Sequence, residues 1–290
     1  MPLRAYAMDA NMIRLIAMML LGCTLLGGCG LGQTNKGGQP YLTPARKDRG
    51  LVIVLTGIEG RSNLNQSIAD GLYAAKVPYA IEVRDWTSSW MPILNQEFSD
   101  RNKRKAREIA RYIQNYRLMY PDRPVFLVGQ SGGCAMAAWV AESLGDDQVD
   151  GIVMLASSLS PTYRLDRALE HSRHGIVNFY SSRDVLFLGF GTTVFRTMDG
   201  KFGTSAGMVG YQFPASRPPE YRRLYQIAWN EKMADSGNHG LHLTSGSERF
   251  TVNYIAPFMT SRKWDDGLID RVVTGDVAVK SVPSTPVARF

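Results

Sequence analysis

Five consecutive apolar residues, Leu51-Val52-Ile53-Val54-Leu55, follow a polar lead that contains several glycines. A short β-branched run of this kind predicts a strand buried on both faces. Comparable runs recur at Tyr79 to Val83, Pro124 to Val128, Val149 to Leu155, Gly175 to Tyr180 and Tyr221 to Ala228. Between them the spacing changes to that of helices. Residues 101–119 put Ala106, Ile109, Ala110 and Ile113 on one stripe beneath a basic face, and Gly132 to Leu144 is rich in alanine. Glu248 to Met259 reads as a closing helix. This alternation predicts an α/β architecture, a mostly parallel central sheet with helices on both faces.

The flanks differ from the body. Arg14 precedes an apolar run from Leu15 to Gly28. The run is shorter than the roughly 20 residues that span a bilayer, and fits the apolar region of a signal peptide. It ends in Leu26-Gly27-Gly28-Cys29, which resembles the lipobox of bacterial lipoproteins. The resemblance implies that Cys29 receives a diacylglycerol and becomes the mature N-terminus. Cys23, in Leu20-Leu21-Gly22-Cys23, offers a poorer version of the same context. Gly30 after the cysteine implies, by resemblance to Gram-negative lipoproteins, the outer membrane facing the periplasm. Residues 1–28 are therefore expected to be a lipoprotein signal peptide, 29–50 a flexible tether, 51–261 the folded domain and 262–290 a polar C-terminal tail.

Composition narrows the classes. With 44% hydrophobic and 20% charged residues over 290 positions, the chain is globular. Its net charge is +7, and +6 once Arg4, Arg14 and Asp9 leave with residues 1–28. That is a weak bias toward anionic surfaces. No nucleic-acid-binding motif accompanies it, so a nucleic-acid partner is not expected. Cys134 alone remains in the body, which excludes an internal disulfide. No Cys/His cluster has metal spacing, and no phosphate-loop motif occurs, so neither a metal nor another cofactor is expected.

The chemistry starts at Gly129-Gln130-Ser131-Gly132-Gly133. A G-x-S-x-G pattern is common, but this one follows a predicted strand and opens a predicted helix, as a nucleophile elbow requires. Gly129 and Gly133 would keep side chains out of the point where strand and helix nearly touch. The letters are close to the GDSGG of trypsin-like enzymes, whose catalytic His and Asp precede the Ser. Here all four histidines, His171, His174, His239 and His242, follow Ser131, so that reading fails. The acid should follow a later strand, which selects Asp184 after Gly175 to Tyr180, with Asp199 as runner-up. The oxyanion hole requires two backbone donors: the amide of Gly132, and one from Thr56-Gly57-Ile58-Glu59-Gly60, where Ile58 is the choice. Glu59, as an anion beside a negative transition state, is expected to point away. The Gly- and Thr-rich stretch from Gly189 to Gly210 reads as an excursion near the site.

Residues 51–259 as a whole resemble the α/β-hydrolase superfamily, and within it bacterial lipase- and esterase-like proteins. The phrases TGIEGRS, LVGQSGG, LSPTYRL, NFYSSRDVLFLG and NYIAP carry the resemblance. It implies hydrolysis of a small-molecule or lipid ester through an acyl-enzyme on Ser131. An acyltransferase with the same triad, or a membrane-tethered binding protein that does not use it, would share these residues. For the base the family offers two patterns. A Gly-His with a following x-x-His-Leu would select His239. A Gly-x-His leading to a Phe and then Tyr-x-x-Pro selects His242, through Phe250 and Tyr254-Ile255-Ala256-Pro257. The second match is the fuller.

The lipobox reading has a direct test. Cys29→Ser should release the protein from the membrane fraction or block its maturation, whereas Cys23→Ser should do neither. Equal membrane retention of both variants on fractionation and blotting would replace the lipid with a transmembrane anchor.

Overall fold

The computed structural model describes residues 41–88, 95–96, 98–184, 197–216 and 218–275. The signal segment, Cys23, Cys29, the first part of the tether, residues 189–196 and the end of the tail lie outside the described residues. The elements in chain order are α1 (Pro44–Lys47), β1 (Leu51–Leu55), α2 (Asn63–Ala74), β2 (Ala80–Arg84), α3 (Ser99–Met119), β3 (Val125–Gln130) and α4 (Gly132–Glu142). They continue with β4 (Gly151–Leu155), α5 (Asp166–Glu170), β5 (Ile176–Tyr180), α6 (Ala206–Val209), β6 (Leu224–Ala228), α7 (Glu248–Phe250), a π turn (Thr251–Ile255), α8 (Ala256–Thr260) and α9 (Asp266–Thr274).

The six strands form one parallel sheet in the order β2-β1-β3-β4-β5-β6. Alternation along β1 divides the core. Leu51, Ile53 and Leu55 face Ala106, Ile109 and Ile113 of α3 and the alanines of α4. Val52 and Val54 face Ile68 and Leu72 of α2, with Phe250, Phe258 and Val272. Both faces are thus covered, which is why the strands read as continuous apolar runs rather than alternating ones. Among the described residues, no helix is long and apolar enough to cross a membrane.

Three parts differ from the sequence expectation. Helix α2 has an apolar stripe of Leu64, Ile68 and Leu72, but Gly71 interrupts the pattern. Its position is packed so closely that a Cβ would lie 2.6 Å from the Glu248 carbonyl oxygen and from Thr251 Cβ. The second difference is residues 41–50, expected within the tether but joined to the folded body. The Ile81 amide donates to Tyr41 O at 3.0 Å, Tyr41 OH donates to Asp70 at 2.5 Å, and Arg46 donates to the carbonyls of Tyr79 and Val77. Thirdly, the tail begins later than 262. Trp264 is buried against Gly151, its indole N–H donates to Phe258 O at 2.8 Å, and α9 buries Leu268 and Val272. Short polar segments like these hold to the body by a few anchors that hydrophobic periodicity does not register.

The closing helix contains Pro257, which has no amide hydrogen and whose ring would crowd the carbonyl four residues earlier. The π turn at Thr251–Ile255 lies just before it, widening the helix where that clash would arise.

Asp150 braces sheet to helix ahead of β4. Its carboxylate accepts from the Val125 amide at 2.8 Å and from Arg117 of α3 at 2.8 Å, with Arg173 at 3.4 Å. Asp150→Ala strands a buried amide and a largely buried guanidinium. It should lower the free energy of unfolding by about 3 kcal/mol, read as a drop in urea midpoint at unchanged slope.

Candidate active site

Strand β3 runs straight into α4 through Ser131, whose backbone sits at φ 54°, ψ −119°. A non-glycine residue there stores about 1–3 kcal/mol of strain, so its surroundings must over-determine it. They do. The Ser131 amide donates to Leu155 O at 2.9 Å, and Ser131 O accepts from the Cys134 amide at 3.0 Å and the Ser158 amide at 3.4 Å. The flanking glycines have the expected role. A Cβ on Gly129 would lie 2.5 Å from Gly133 O, and one on Gly133 would lie 2.2 Å from Leu55 O. Gly132 is pressed against the loop after β1. A Cβ there would be 2.8 Å from Ile58 Cγ2 and 3.4 Å from the Ile58 amide nitrogen. Ile58 and Gly132, the two residues singled out in the sequence, are therefore neighbours, and Trp86 packs close to Gly132. The Trp86 indole N–H donates to Thr56 O at 2.7 Å.

His242 opens a short 3-10 turn, and its carbonyl accepts from Ser245 Oγ at 2.9 Å. Gly240, at φ 80°, turns the chain just before it; a Cβ there would meet Ser181 Oγ at 2.7 Å. The His242 imidazole Nδ1 lies 3.2 Å from Asp184 Oδ2, both side chains almost fully buried. Its Nε2 lies 3.4 Å from the side-chain amide nitrogen of Gln130, the residue before Ser131. The ring thus bridges the tip of β3 and the turn after β5. Burial pushes the Asp184 carboxyl above the usual carboxylate range, and hydrogen bonds from the His242 side chain and backbone oppose that.

The alternatives are placed elsewhere. Asp199 accepts from Ser160 N at 2.8 Å, Ser160 Oγ at 2.6 Å and Thr197 Oγ1 at 2.7 Å, which makes it the organiser of a turn. His239 is exposed, and its backbone amide donates to Thr244. Cys134 lies beneath the elbow, its thiol bonded to the carbonyls of Gly129 and Leu155 and pushed up to about 12 by burial. A thiol held there does not ionise near neutrality.

One side chain departs from the sequence reading. Glu59 does not point away from the site. Its Oε2 lies 2.1 Å from where a Gly57 Cβ would be, with Gln130 Oε1 2.8 Å from the same point. Ser62 Oγ donates to Glu59 at 3.2 Å. The absent side chain at Gly57 is what lets this carboxylate fold back. Burial pushes the Glu59 carboxyl upward, and the nearby His242 opposes that. Gln130 and Trp86 are neighbours to which the sequence alone assigned no role; only the fold brings them to the site.

A cleft of about 580 Å³ lies away from these groups, beside Lys103, Trp139 and Tyr163. A cavity of about 20 Å³ sits behind Asp184, Gly240 and Leu241. Among the described residues no three His, Cys, Asp or Glu side chains are placed to hold a metal.

Because the folded state disfavours Asp184 ionisation, its contribution to stability is full below the unfolded carboxylate range and lost as pH rises through the elevated folded value. Asp184→Asn removes that loss. Its melting temperature should exceed the native one by a few degrees at pH 8, and the gap should close toward pH 4 in calorimetry.

Residues 50–184 match the family model described as the alpha/beta hydrolase fold. Comparison with curated protein sequences gives no match. Among solved structures, LpqC, a poly(3-hydroxybutyrate) depolymerase from Bordetella parapertussis, is similar with a TM-score of 0.50 at 13% identity, over 80% of this chain and 86% of that one. XC6422 from Xanthomonas campestris, described as an a/b serine hydrolase without lid, gives a TM-score of 0.42 at 12% identity over 86% and 88%. At such identities the likeness concerns the fold. Together with the parallel six-stranded sheet and the strand–Ser131–helix turn, the match shows that this chain has the alpha/beta hydrolase fold.

Proposed function

We propose that the protein is a serine hydrolase that cleaves a carboxylic ester through an acyl-enzyme. The observation that carries this is a strained, glycine-flanked Ser131 at the end of β3, with the buried His242–Asp184 pair reaching to the same strand tip.

The roles follow from the positions. Ser131 Oγ attacks the ester carbonyl carbon while His242 Nε2 takes its proton. Asp184, on Nδ1, fixes the tautomer and orientation of the ring and favours its charged form during attack. The carbonyl oxygen becomes an oxyanion facing the Ile58 and Gly132 amides. The N-terminus of α4 begins at Gly132, so its unpaired amides and dipole add positive potential at that point. Collapse expels the alcohol, which receives the proton from His242. Water then repeats the cycle on the acyl-enzyme and regenerates Ser131. No step draws on a cofactor.

The same reading extends to location. The signal segment and Cys29 support a lipid-anchored protein of the bacterial envelope, at the outer membrane and facing the periplasm, with a small-molecule or lipid ester as substrate.

Ser131→Ala should abolish fluorophosphonate labelling and lower turnover of an activated ester by about a millionfold, with the circular dichroism spectrum retained. His242→Ala should lose about three or more orders of magnitude, and His239→Ala far less. Native-level labelling of the Ser131 variant would end the serine-hydrolase reading, and the reverse ranking of histidines would move the base to His239.

A further inference from the structure

Helix α3 carries an excess of cations; Lys103 Nζ lies 5.8 Å from the centre of the Trp139 ring, and, among the described residues, several others have no partner role in the fold. Two of its arginines face inward. Arg101 donates to Trp86 O and to Asn95 at 3.2 Å each, and Arg117 pairs with Asp150. Lys105 is neutralised by Glu108 at 2.8 Å. The remaining cations, Lys103, Arg104, Arg107 and Arg111, are all exposed, and none forms an ion pair with a carboxylate among the described residues.

Their spacing is informative. Lys103, Arg107 and Arg111 follow at intervals of four, so they line one face, with Arg104 beside them. Like charges at that spacing work against the helix that presents them. The same line continues to Leu118, seven residues beyond Arg111, which is 80% exposed, next to Met119 at 67%. A solvated face would be expected to mix its charges and end in polar residues. This one is cationic along two turns and apolar at its end. The apolar end lies beside α1, where Tyr116 OH donates to Lys47 O at 2.6 Å and Arg49 adds another exposed cation.

We propose that the exposed face of α3 docks on an anionic lipid surface, with Lys103, Arg104, Arg107 and Arg111 over the headgroups and Leu118 and Met119 in the interfacial layer. Charge complementarity selects an anionic partner. The two bare apolar side chains favour a lipid surface over a nucleic acid, which offers nothing for them to enter. Each cation near such a surface contributes about fivefold in partitioning, and salt screens it. The docking does not depend on the N-terminal lipid or on the hydrolase reading.

The test places a reporter on the face itself. The full chain carrying Leu118→Cys is labelled with the environment-sensitive fluorophore NBD, with equally treated native protein as the blank. It is mixed with vesicles of phosphatidylcholine alone or with about 30 mol % phosphatidylglycerol. NBD emission should rise and shift to the blue only on the anionic vesicles. The partition coefficient should fall at least about tenfold at about 0.5 M salt. It should fall similarly at low salt when R104Q, R107Q and R111Q are combined; these surface changes are checked by thermal melting. An N-terminal anchor alone would attach the protein to both vesicle types and leave position 118 in water. That outcome, or binding indifferent to the three substitutions, would overturn the proposal. So would water-like emission together with charge-dependent binding to an oligonucleotide, which would reassign the face to nucleic acid.

Discussion

The close approach of α4 to the sheet governs the rest of the structure. With no Cβ on Gly129 or Gly133, helix backbone meets strand backbone at distances no other residue pair would allow. The chain between them has no room for a relaxed turn, and Ser131 takes the strained conformation that results. The buried core on both faces of the sheet outweighs that local cost many times over. Strain here is a product of packing, and packing fixes where the hydroxyl stands.

The sheet order adds the second constraint. β1 and β3 are neighbours although β2 intervenes in the chain, so the connections after β1 and after β3 leave the same edge side by side. Such a reversal of strand order opens a crevice at the carboxyl ends of the strands. It brings Ile58 beside Gly132 without either residue carrying a functional side chain. The buried Asp184–His242 pair reaches into that crevice; burial raises the Asp184 carboxyl, and its hydrogen bonds with His242 oppose that.

Much of this was legible in the residues, for identifiable reasons. The strands were readable because burial on both faces leaves only apolar, β-branched choices, and their ends moved by no more than three residues. The elbow was readable because its glycines are forced. The pairing of His242 rather than His239 with Asp184 is consistent with the spacing to Phe250 and Tyr254. What stayed hidden has a common cause. Gly71 hides α2 because its reason for being glycine is a contact with a segment far along the chain. Tyr41, Arg46 and Trp264 join the body through a few contacts with residues far along the chain. Glu59 folds inward because of an empty space over Gly57, and an empty space has no letter in a sequence.

The clamp formed by Tyr41 and Arg46 closes the sheet at one end of its strands. Tyr41 O accepts from the amide of Ile81 at the start of β2, and Arg46 grips the loop that leads into it, at the amino edge of the sheet. Ser131 stands at the carboxyl edge. The clamp and the nucleophile thus stand at opposite ends of the strands, so loosening Tyr41 or Arg46 would disturb the amino edge and leave the elbow in place.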